Sequence, residues 1–389
     1  MKRYERATVW LFLSILFGFS VLFWITQDRA FSEQENRSLQ TIPSVSAEKV
    51  LSGRFSSDMN DYFSDQFPLR DALVGMKGFL ELATGKGEND GILLGANGQL
   101  ARRRFAIQRA DGEPPQDSDL FDPAHIQAAG EGICRASENL KVPFSVVLTG
   151  RNVDVTASAF DYPRENSDAL FAEIQNLLST CQTVETVPIL REKCADGEAV
   201  YYKTDHHWTT LGAYYGYVEI MRSFGMEDEI IPQEDFEKRV VSDSFYGTLW
   251  SAGGMKWVCP DTVEFWLYGN EDAFLVTADG KELDGFYNEK WLSKKDHYSA
   301  FLDGTHDIVT VTRKDGSHRP KLLILKDSFA NAVAPFLAQH FDLVLLNLSS
   351  TRQDFTDLST LADTHQADLV ALIYTVENLI TADKLCRLK

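Results

Sequence analysis

The chain has 389 residues, a formal net charge of −19 and a hydrophobic content of 44%. This length suits one large domain or two smaller ones, and the hydrophobic content allows a substantial core, which argues against disorder. The acidic balance argues against nucleic acid as a partner, because a phosphate backbone attracts basic surfaces.

The N-terminus predicts a membrane anchor. Basic residues in the first six positions are followed by an apolar run from residue 7 to Ile25. At about 1.5 Å per helical residue, this run could cross a hydrocarbon core of about 30 Å. The basic flank stays in the cytoplasm, so the chain after residue 27 is expected to be extracytoplasmic, on a single-pass anchor. A cleaved signal peptide is the alternative, although no small-x-small cleavage site follows Ile25.

The cysteines are interpreted as structural. There are five of them, so at least one thiol stays free or pairs between chains. Their spacing lacks the close pairs that are typical of a zinc site. In an exported protein Cys181 and Cys194 could close a short loop, but sequence alone does not prove this pairing.

Residues 28–122 are predicted to form a stalk and an N-terminal helical cap. Helical spacing of apolar residues occurs in 46–54 and 58–63, and a stronger helix is predicted from 65 to about 83. Residues 91–100 are predicted to form a hairpin that turns at Asn97-Gly98. The charged, proline-containing segment that follows, as far as residue 123, is predicted to be a loop.

From residue 123 to the C-terminus, strands and helices are predicted to alternate. This pattern is typical of βαβ units, and it predicts an α/β fold with a parallel sheet and helices on both faces. The predicted helices are 123–140, 166–180, 209–224, 329–339 and 356–364, and Thr209 is the predicted cap of the third. The predicted strands are 144–148, 187–190, 199–202, 321–325, 343–348 and 369–374, and Pro188 restricts the second of these to a sheet edge.

Residues 226–319 interrupt this alternation. They are rich in glycine, aromatic and charged residues, and they lack long helical periodicity. We predict a largely irregular, β-rich insertion with a hairpin at Val309 to Lys314.

One short segment concentrates groups that can transfer protons: Asp205, His206, His207 and Trp208 follow a predicted strand. An imidazole can take a proton from a nucleophile, and a carboxylate can fix its tautomer. The Asp205-x-His207 spacing supplies both groups, and His206 would point to the other side of an extended segment. The alternative is a structural Asp–His pair that caps the helix beginning at Thr209.

The second chemical feature is Ser328, which lies between a predicted buried strand and a predicted helix. This order puts Ser328 at the carboxyl end of a parallel strand and near helical N–H groups that can stabilise an oxyanion. A serine at this position is often only a helix cap. Because a serine hydroxyl needs a neighbouring imidazole to become a nucleophile, Ser328 and His207 are predicted to meet.

Residues 203–209 and 326–331 together resemble the DHHW proteins, which are similar to the alginate O-acetyltransferase group of SGNH-like hydrolases. The resemblance extends from about residue 30 to the C-terminus. Further stretches that resemble the family are Glu35-Asn36-Arg37, Gly53-Arg54-Phe55, Asp65-Gln66-Phe67-Pro68-Leu69-Arg70-Asp71, Ile92-Leu93-Leu94-Gly95, Tyr246-Gly247-Thr248-Leu249 and Tyr298 to His306.

The resemblance implies an SGNH, flavodoxin-like fold with a catalytic triad of Ser328, His207 and Asp205, in a permuted chain order. It implies a serine esterase or O-acetyltransferase that forms an acyl-enzyme and acts on cell-envelope or secreted polysaccharide. No cofactor and no metal ion are expected. A membrane acyltransferase could be a partner that supplies the acyl group.

One stretch departs from the family pattern. Where that pattern usually has Gly-Gly-Asn-His, Asp303 and Thr305 replace a glycine and the asparagine. If this stretch helps to form the oxyanion hole, an acid there is unfavourable. The backbone N–H groups of Ser328 and Gly304 are then the candidates for this hole.

Other polar residues are candidates for a supporting role. Lys203 and His206 are expected near the triad, and Trp208 could stack on a sugar ring. Arg151 and Asn152 follow a predicted strand and could line the same cleft. The pair Glu377-Asn378 follows the last predicted strand in a comparable position.

Two other functions stay open at this point. The first is a catalytically inactive glycan-binding or accessory protein of an acetylation machinery. The second is a metal-dependent phosphoesterase, because Asp-His-His also occurs in such enzymes. That chemistry needs further aspartates that converge on two metal ions. The only upstream Asp-x-Asp, Asp117-Ser118-Asp119, lies in a proline-rich loop.

Overall fold

The structure, a computed structural model, describes residues 3–32, 37–103, 122–161, 167–349 and 355–389. The Glu35-Asn36 pair, the Asp117-Ser118-Asp119 stretch and most of the loop predicted before residue 123 lie outside the described residues. The chain divides into two compact units: the first is Met1–Asn89 with Ser251–Trp257, and the second is Asp90–Trp250 with Val258–Lys389. The boundaries that the sequence predicts at residues 27 and 122 stay predictions.

The first unit is mainly helical. Its first helix contains one segment, Tyr4–Ile25, that is long and apolar enough to cross a membrane, with a mean hydropathy of 2.2. Three further helices confirm the predicted helical segments before residue 84. The helices are α1 (Arg3–Ile25), α2 (Ala47–Leu51), α3 (Arg54–Asp65) and α4 (Arg70–Ala83), and the short strands are β1 (Phe31–Ser32), β2 (Arg37–Ser38) and β3 (Glu88–Asn89).

The second unit contains the remaining strands. They are β4 (Ile92–Leu94), β5 (Leu100–Arg102), β6 (Phe144–Thr149), β7 (Gln182–Glu185), β8 (Glu237–Phe245), β9 (Asp261–Leu267), β10 (Phe274–Ala278), β11 (Lys281–Glu282), β12 (Ile308–Arg313), β13 (Lys321–Lys326), β14 (Asp342–Asn347) and β15 (Leu369–Thr375). β4 and β5 form the predicted antiparallel hairpin, with Asn97 and Gly98 in its turn.

The later helices are α5 (Pro123–Asn139), α6 (Asn152–Val155), α7 (Ser167–Leu177), α8 (Val187–Ala195), α9 (Thr210–Ser223), α10 (Thr248–Gly253), α11 (Ala330–Leu337), α12 (Leu358–His365) and α13 (Val376–Leu379). Helix α9 begins directly after Thr209, as predicted. The Thr209 hydroxyl accepts a hydrogen bond from the N–H of Gly212 at 3.1 Å and donates one to the carbonyl of Ala199 at 2.7 Å.

The core of the second unit is an eight-stranded sheet in the order β11-β10-β12-β14-β13-β15-β6-β7. The strands from β14 to β7 in this order run parallel, whereas β12, β10 and β11 extend one edge in antiparallel fashion. The fold is therefore mixed α/β with a mostly parallel sheet, which agrees with the predicted fold class.

The crossovers around β13 explain why helices cover both faces of this sheet. β13 continues through α11 to β14 on one side, and β14 continues through α12 to β15 on the other side of β13. Because such crossovers are right-handed, two that run in opposite directions place their helices on opposite faces. α11 packs against α9, whereas α12 packs against α5.

Strand β13 lies in the middle of the sheet because of its composition. Its residues Leu322–Leu325 are all buried, as expected for a parallel strand that is covered on both faces. Leu322 pairs with Leu343 of β14 on one side and with Leu369 of β15 on the other. The residues that follow β13 therefore emerge at the centre of the carboxyl edge of the sheet.

Two of the predicted strands are wrong. Residues 187–190 belong to α8, because Pro188 lies in the first turn of the helix, where its missing N–H costs no hydrogen bond. Residues 199–202 form no strand, and only an isolated bridge joins Tyr201 to Trp208.

The prediction for residues 226–319 is only partly right. β8 and β9 form a separate antiparallel pair, but β10, β11 and β12 belong to the central sheet. The hairpin predicted at Val309 to Lys314 is wrong, because residues 308–313 form the single strand β12.

The cysteines show no disulfide. All five are free thiols, so the suggested bond between Cys181 and Cys194 is not formed. Instead the Sγ atom of Cys181 lies 3.7 Å from that of Cys134. Burial raises the pKa of the Cys181 thiol to about 11.

The cap of α9 predicts a measurable stability effect. Replacing Thr209 by alanine removes the side-chain acceptor for the Gly212 N–H, so the free energy of unfolding should fall by about 1 kcal/mol. Urea unfolding followed by far-UV circular dichroism measures this change. The control Thr209→Ser keeps the hydroxyl, so its free energy of unfolding should fall clearly less than that of Thr209→Ala. Equal unfolding midpoints for Thr209→Ala and the wild type would contradict the proposed cap.

Candidate active site

The loop that carries Asp205 to His207 is closed at its base. The N–H of Tyr202 donates to the carbonyl of His207 at 3.2 Å, and the N–H of Thr209 donates to the carbonyl of Val200 at 3.0 Å. The loop residues between them bend instead of extending. The three acid–base side chains therefore lie together at the tip of one tight loop.

Asp261, the first residue of β9, holds the middle of this loop. Its carboxylate accepts hydrogen bonds from the N–H of Lys203 at 2.8 Å, the N–H of Thr204 at 2.8 Å and the hydroxyl of Thr204 at 2.6 Å. The Thr204 hydroxyl also accepts a hydrogen bond from the N–H of Gly247 at 3.0 Å. Asp261 thus fixes the position of the backbone that presents Asp205.

Asp205 is buried, and both of its oxygens have hydrogen-bond donors. Oδ1 accepts from the backbone N–H of His207 at 3.0 Å and from its Nδ1 at 2.6 Å. Oδ2 accepts from the N–H and the hydroxyl of Thr248 at 2.8 and 3.0 Å. Burial by itself would raise the pKa of Asp205, but the imidazoles of His206 and His207 and these hydrogen bonds hold it well below its usual range. The carboxylate is therefore ionised at neutral pH.

His207 connects this carboxylate to Ser328. Because Nδ1 donates to Asp205, Nε2 of the neutral ring is the acceptor for the hydroxyl of Ser328, and the distance between Nε2 and Oγ is 2.7 Å. The ring stacks on Tyr298 with 3.7 Å between centroids and an angle of 8° between planes. The Tyr298 hydroxyl donates to the carbonyl of Ser328 at 3.2 Å. Tyr298 thus restrains both the imidazole and the serine.

Asp327 organises the turn that contains Ser328. Its Oδ1 accepts from the N–H of Phe329 at 3.0 Å. Its Oδ2 accepts from the N–H of Thr375 at 2.7 Å, from the Thr375 hydroxyl at 3.0 Å and from the side-chain amide of Asn378 at 3.0 Å. The turn after β13 is thereby fastened to the end of β15. The N–H of Ser328 itself has no protein acceptor among the described residues.

Lys326 links this turn to the loop around Gly304. The lysine is fully buried, which lowers its pKa to about 8, and its ammonium donates to Oδ1 of Asn331 at 2.7 Å. The amide of Asn331 donates in turn to the carbonyl of Gly304 at 3.0 Å. The N–H of Gly304 donates to the carbonyl of Phe301 at 3.2 Å. Because this N–H already has an acceptor, it is not available for the oxyanion role that the sequence suggests.

Asp303 has its own set of partners. Its carboxylate lies 2.7 Å from the ammonium of Lys290, 2.6 Å from Nε1 of Trp291 and 3.2 Å from the amide of Asn288. Burial tends to raise the pKa of Asp303, but the hydrogen bonds from Lys290 and Trp291 lower it overall. The negative charge of Asp303, expected to be unfavourable, is thus offset by the ammonium of Lys290. Thr305 is exposed.

A cleft of about 270 Å³ opens beside these hydrogen-bonded groups. Its walls come from the residues that follow β6, β13 and β15, and from the tip of the Asp205 loop. The lining residues are Arg102, Arg151, Asn152, Val153, His206, Thr248, Leu249, Phe329, Thr375, Glu377 and Asn378. The carboxyl ends of parallel strands meet here, as expected for an active site of an open α/β sheet.

Arg151 and Asn152 line the cleft, but both side chains also hold structure. The guanidinium of Arg151 binds Asp154 through two hydrogen bonds, of 2.9 and 2.7 Å. The amide of Asn152 donates to the carbonyls of Leu100 at 2.7 Å and Asp205 at 3.4 Å. Asn152 therefore also supports the Asp205 loop.

Trp208 and Lys203 lie elsewhere than the sequence suggests. Trp208 is fully buried, and its indole N–H donates to the carbonyl of Phe329 at 3.1 Å. It supports the nucleophile turn and cannot stack on a sugar. Lys203 lines a different cavity, together with Pro260 and Asp261, and no ion pair joins it to Asp205 among the described residues.

His206 also differs from its prediction. Because the loop bends, its ring lies on the same side as that of His207, with 3.8 Å between the centroids. Its Nδ1 lies 2.8 Å from the hydroxyl of Thr248. The ring is half-exposed and lines the cleft, which gives it access to a substrate.

Residues 169–347 match the model of the DHHW protein family. This segment, named the DHHW domain after the similarity, carries Asp205, His207 and Ser328. No curated protein matches this sequence.

Solved structures with a similar fold come from several bacteria. Bacillus cereus PatB1 with a sulfonyl adduct has a TM-score of 0.61 and 19% identity, over 77% of this chain and 98% of PatB1. A DHHW family protein from Eubacterium siraeum has a TM-score of 0.55 and 19% identity, over 76% of this chain and 97% of its own. The O-acetyltransferase domain of Pseudomonas putida AlgJ has a TM-score of 0.45 and 13% identity, over 75% of this chain and 92% of its own. The first two have the same α/β fold as this chain.

Several supporting residues of the DHHW domain were not identified as functional from the sequence. Thr248 binds Asp205, and Tyr298 stacks on His207, although both lie in stretches that resemble the family. Gly247 is required because a Cβ at this position would clash with Asp205. Asp261 follows Pro260 with no local pattern that marks it, and only the fold brings it to the loop.

The DHHW motif also offers ligand atoms for a metal ion. One atom each from Asp205, His206 and His207 lie within 4.8 Å of one another. Both oxygens of Asp205 and both ring nitrogens of His207 already have hydrogen-bond partners. A metal ion would have to replace these bonds, so the donor set fits proton transfer better than metal binding.

The ionised Asp205 predicts a dependence of stability on pH. Its pKa is lower in the folded DHHW domain than in the unfolded chain, where it is about 3.9. Its stabilising contribution is therefore fully present above that value and is lost as the pH falls through the folded-state pKa. We expect the difference in urea midpoint between the wild type and Asp205→Asn to be constant from about pH 7 to pH 5 and to narrow below about pH 4.

The control for this titration is Asp284→Asn, which changes an exposed aspartate with no hydrogen-bond partner among the described residues. The urea midpoint of Asp284→Asn should differ from that of the wild type by the same amount at every pH. A difference between Asp205→Asn and the wild type that widens towards low pH would contradict the buried carboxylate.

Proposed function

We propose that this protein is a serine-dependent O-acetyltransferase or esterase that acts on polysaccharide, with Ser328, His207 and Asp205 as its catalytic triad. One observation carries this proposal: an unbroken chain of hydrogen bonds of 2.6 and 2.7 Å runs from Asp205 through His207 to Ser328. Ser328 is partly exposed, and its neighbour Phe329 lines the cleft, so a substrate held there has its carbonyl carbon close to Ser328.

The reaction follows from this geometry. His207 takes the hydroxyl proton of Ser328 as Oγ attacks the acyl carbonyl, and Asp205 stabilises the imidazolium that forms. The imidazolium then gives this proton to the departing group, which leaves an acyl-enzyme on Ser328. A sugar hydroxyl or a water molecule is the second acceptor. His207 removes its proton during attack on the acyl carbon and returns that proton to Ser328 Oγ.

The developing negative charge on the acyl oxygen needs donors. The N–H of Ser328 is the first candidate, because it has no protein acceptor among the described residues. The second is the side-chain amide of Asn378. One of its N–H groups is oriented by Asp327, and the other has no protein acceptor in the described ranges of the chain. Asn378 lines the cleft, so this second N–H can face the oxyanion.

The substrate class is inferred from the cleft and from the family resemblance. Charged and amide side chains make up much of the cleft wall, which suits an acceptor with many hydroxyl groups. The resemblance implies acetyl as the transferred group. PatB1 carries a sulfonyl adduct. Sulfonyl reagents trap activated nucleophiles, and such a reagent therefore suits a test of Ser328.

The apolar helix α1 supports a location at the membrane. As a single-pass anchor with the basic residues inside, it would hold the catalytic domain outside the cytoplasm, next to cell-envelope polysaccharide. A membrane acyltransferase could deliver the acyl group there.

Turnover of a chromogenic acetyl ester by the full chain tests the triad. Ser328→Ala should lower the rate by at least about 10³-fold, because the nucleophile is removed. EDTA should have no effect on the wild type. The control Ser317→Ala changes an exposed serine that precedes β13, whereas Ser328 follows this strand, and it should leave the rate unchanged.

Two outcomes would contradict the proposed serine-dependent activity, each in favour of a different function. Activity that survives Ser328→Ala but disappears with EDTA would indicate a metal-dependent hydrolase. Absence of both turnover and labelling of Ser328 by a sulfonyl fluoride would indicate an inactive glycan-binding or accessory protein. With an active enzyme, addition of an oligosaccharide acceptor separates transfer from hydrolysis, because transfer leaves an acetylated sugar.

Asn378 provides a sharper test of the oxyanion site. Asn378→Ala should lower kcat by about 10²-fold with little change in KM, because the amide acts on the transition state. Thr375→Val is the comparison: it removes one hydrogen bond to Asp327 and the cap that accepts from the Asn378 N–H, but it removes no donor to the oxyanion. Equal losses of kcat in both variants would mean that Asn378 only positions Asp327.

A further inference from the structure

An exposed apolar surface on the first unit has no role in the proposed chemistry. It lies on α3, on the short connection after it and on α4, and we call it the α3–α4 apolar face. The exposed fractions are 45% for Phe63, 40% for Phe67, 65% for Leu69, 54% for Met76, 58% for Phe79 and 54% for Leu80. Large apolar side chains that are exposed together on neighbouring segments usually mark a binding site.

The chain directly after α1 is fastened to this part of the unit. The N–H of Arg29 donates to the side-chain oxygen of Gln66 at 2.9 Å, and the Gln66 amide donates back to the carbonyl of Arg29 at 2.9 Å. The guanidinium of Arg29 pairs with Asp71 at 2.8 Å, and the hydroxyl of Tyr62 donates to Asp28 at 3.1 Å. The corner between α3 and α4 is therefore held only a few residues from the end of the apolar helix.

Aromatic contacts also set the depth of this corner along α1. Phe67 stacks on Phe19 with 5.3 Å between the ring centroids, and Phe63 lies 5.3 Å from Phe23. Phe19 precedes the end of α1 at Ile25 by six residues, which corresponds to about 9 Å along a helix axis. Interfacial helices bury their apolar faces by about 5–10 Å, so the two depths agree.

The space between α1 and this corner also suits lipid. A groove of about 380 Å³ is lined almost entirely by aromatic and aliphatic side chains of α1 together with Phe63 and Phe67. Two ion pairs lie in the same part of the unit: Arg37 with Asp65, and Lys49 with Asp58. The surface thus combines an apolar face with a polar side, as in helices that lie in a membrane interface.

One backbone feature favours the same conclusion. Leu69 has a φ angle of 58°, in the left-handed region that a leucine rarely adopts. This conformation turns the chain between α3 and α4 while its side chain stays largely exposed. If Leu69 were surrounded by water, neither its backbone strain nor the exposure of its side chain would be offset by a favourable contact.

We propose that the α3–α4 apolar face lies in the outer leaflet of the bilayer that α1 crosses, with phospholipid acyl chains as its occupant. The proposal rests on α1 being a membrane anchor and is independent of the triad. The first unit is then held to the membrane by a helix across it and by a second, lateral contact beside that helix.

The test uses full-length protein in vesicles of phosphatidylcholine and phosphatidylglycerol that contain a phospholipid with a diazirine in its acyl chain. After illumination, mass spectrometry locates the adducts. We expect adducts both in α1 and in peptides that cover residues 63–83. Met76→Glu combined with Leu80→Glu should reduce the adducts on α4 by about fivefold or more and leave those on α1 unchanged, because carboxylates leave the acyl region.

Arg54→Glu is the matched control. It changes the net charge by the same amount, at an exposed residue on the side of α3 opposite Phe63, and should leave all adducts unchanged. Far-UV circular dichroism checks that the variants fold. If they do not, the positions of the lipid adducts on the wild-type protein alone test the proposal. Adducts confined to α1, or absent from both segments, would overturn the proposal. So would the loss of lipid adducts at residues 63–83 when the same lipid is used in native membranes, since a protein partner would then cover the face.

Discussion

The buried negative charge of Asp205 is the constraint on which the site depends. A carboxylate without solvent is unfavourable unless donors surround it, and here His207 and Thr248 supply them. Those donors need a fixed backbone, which explains Gly247 at the point of closest approach and Asp261 behind the loop. The imidazole orientation follows from the same charge, because Nδ1 keeps its proton for Asp205 and Nε2 is left to accept from Ser328.

Asp327 fixes the turn that carries Ser328, just as Asp261 fixes the loop that carries His207. Asp327 joins the ends of β13 and β15, which lie side by side at the centre of the sheet. The strand order β14-β13-β15-β6-β7 is that of flavodoxin-like sheets, in which ligands bind where the connections change direction. Ser328 and Asn378 follow the two strands at this point. The cleft is thus a consequence of topology, and the side chains only complete it.

The sequence predicts the parts of this arrangement that have local signals. The apolar run of β13, the cap at Thr209 and the DHHW segment were all recognisable, and so was the proximity of Ser328 to His207. The predictions that were wrong concern features that depend on tertiary contacts. Pro188 is compatible with an edge strand or with a first helical turn, and only packing decides. The bend that puts His206 beside His207 comes from Asp261, far away in sequence. The burial of Trp208 and the partners of Asp303 likewise need the whole fold.

The permuted order of the strands has a consequence for folding. β6 is among the first strands of the sheet to be synthesised, yet its neighbour β15 is the last. Contacts between residues so distant in sequence form slowly, because a long loop must close before they contribute any stability. Asp205 and His207 are also synthesised well before Ser328. During synthesis such a chain presents an unfinished sheet, with open strand edges and no nucleophile, until β15 and the residues around it have been added.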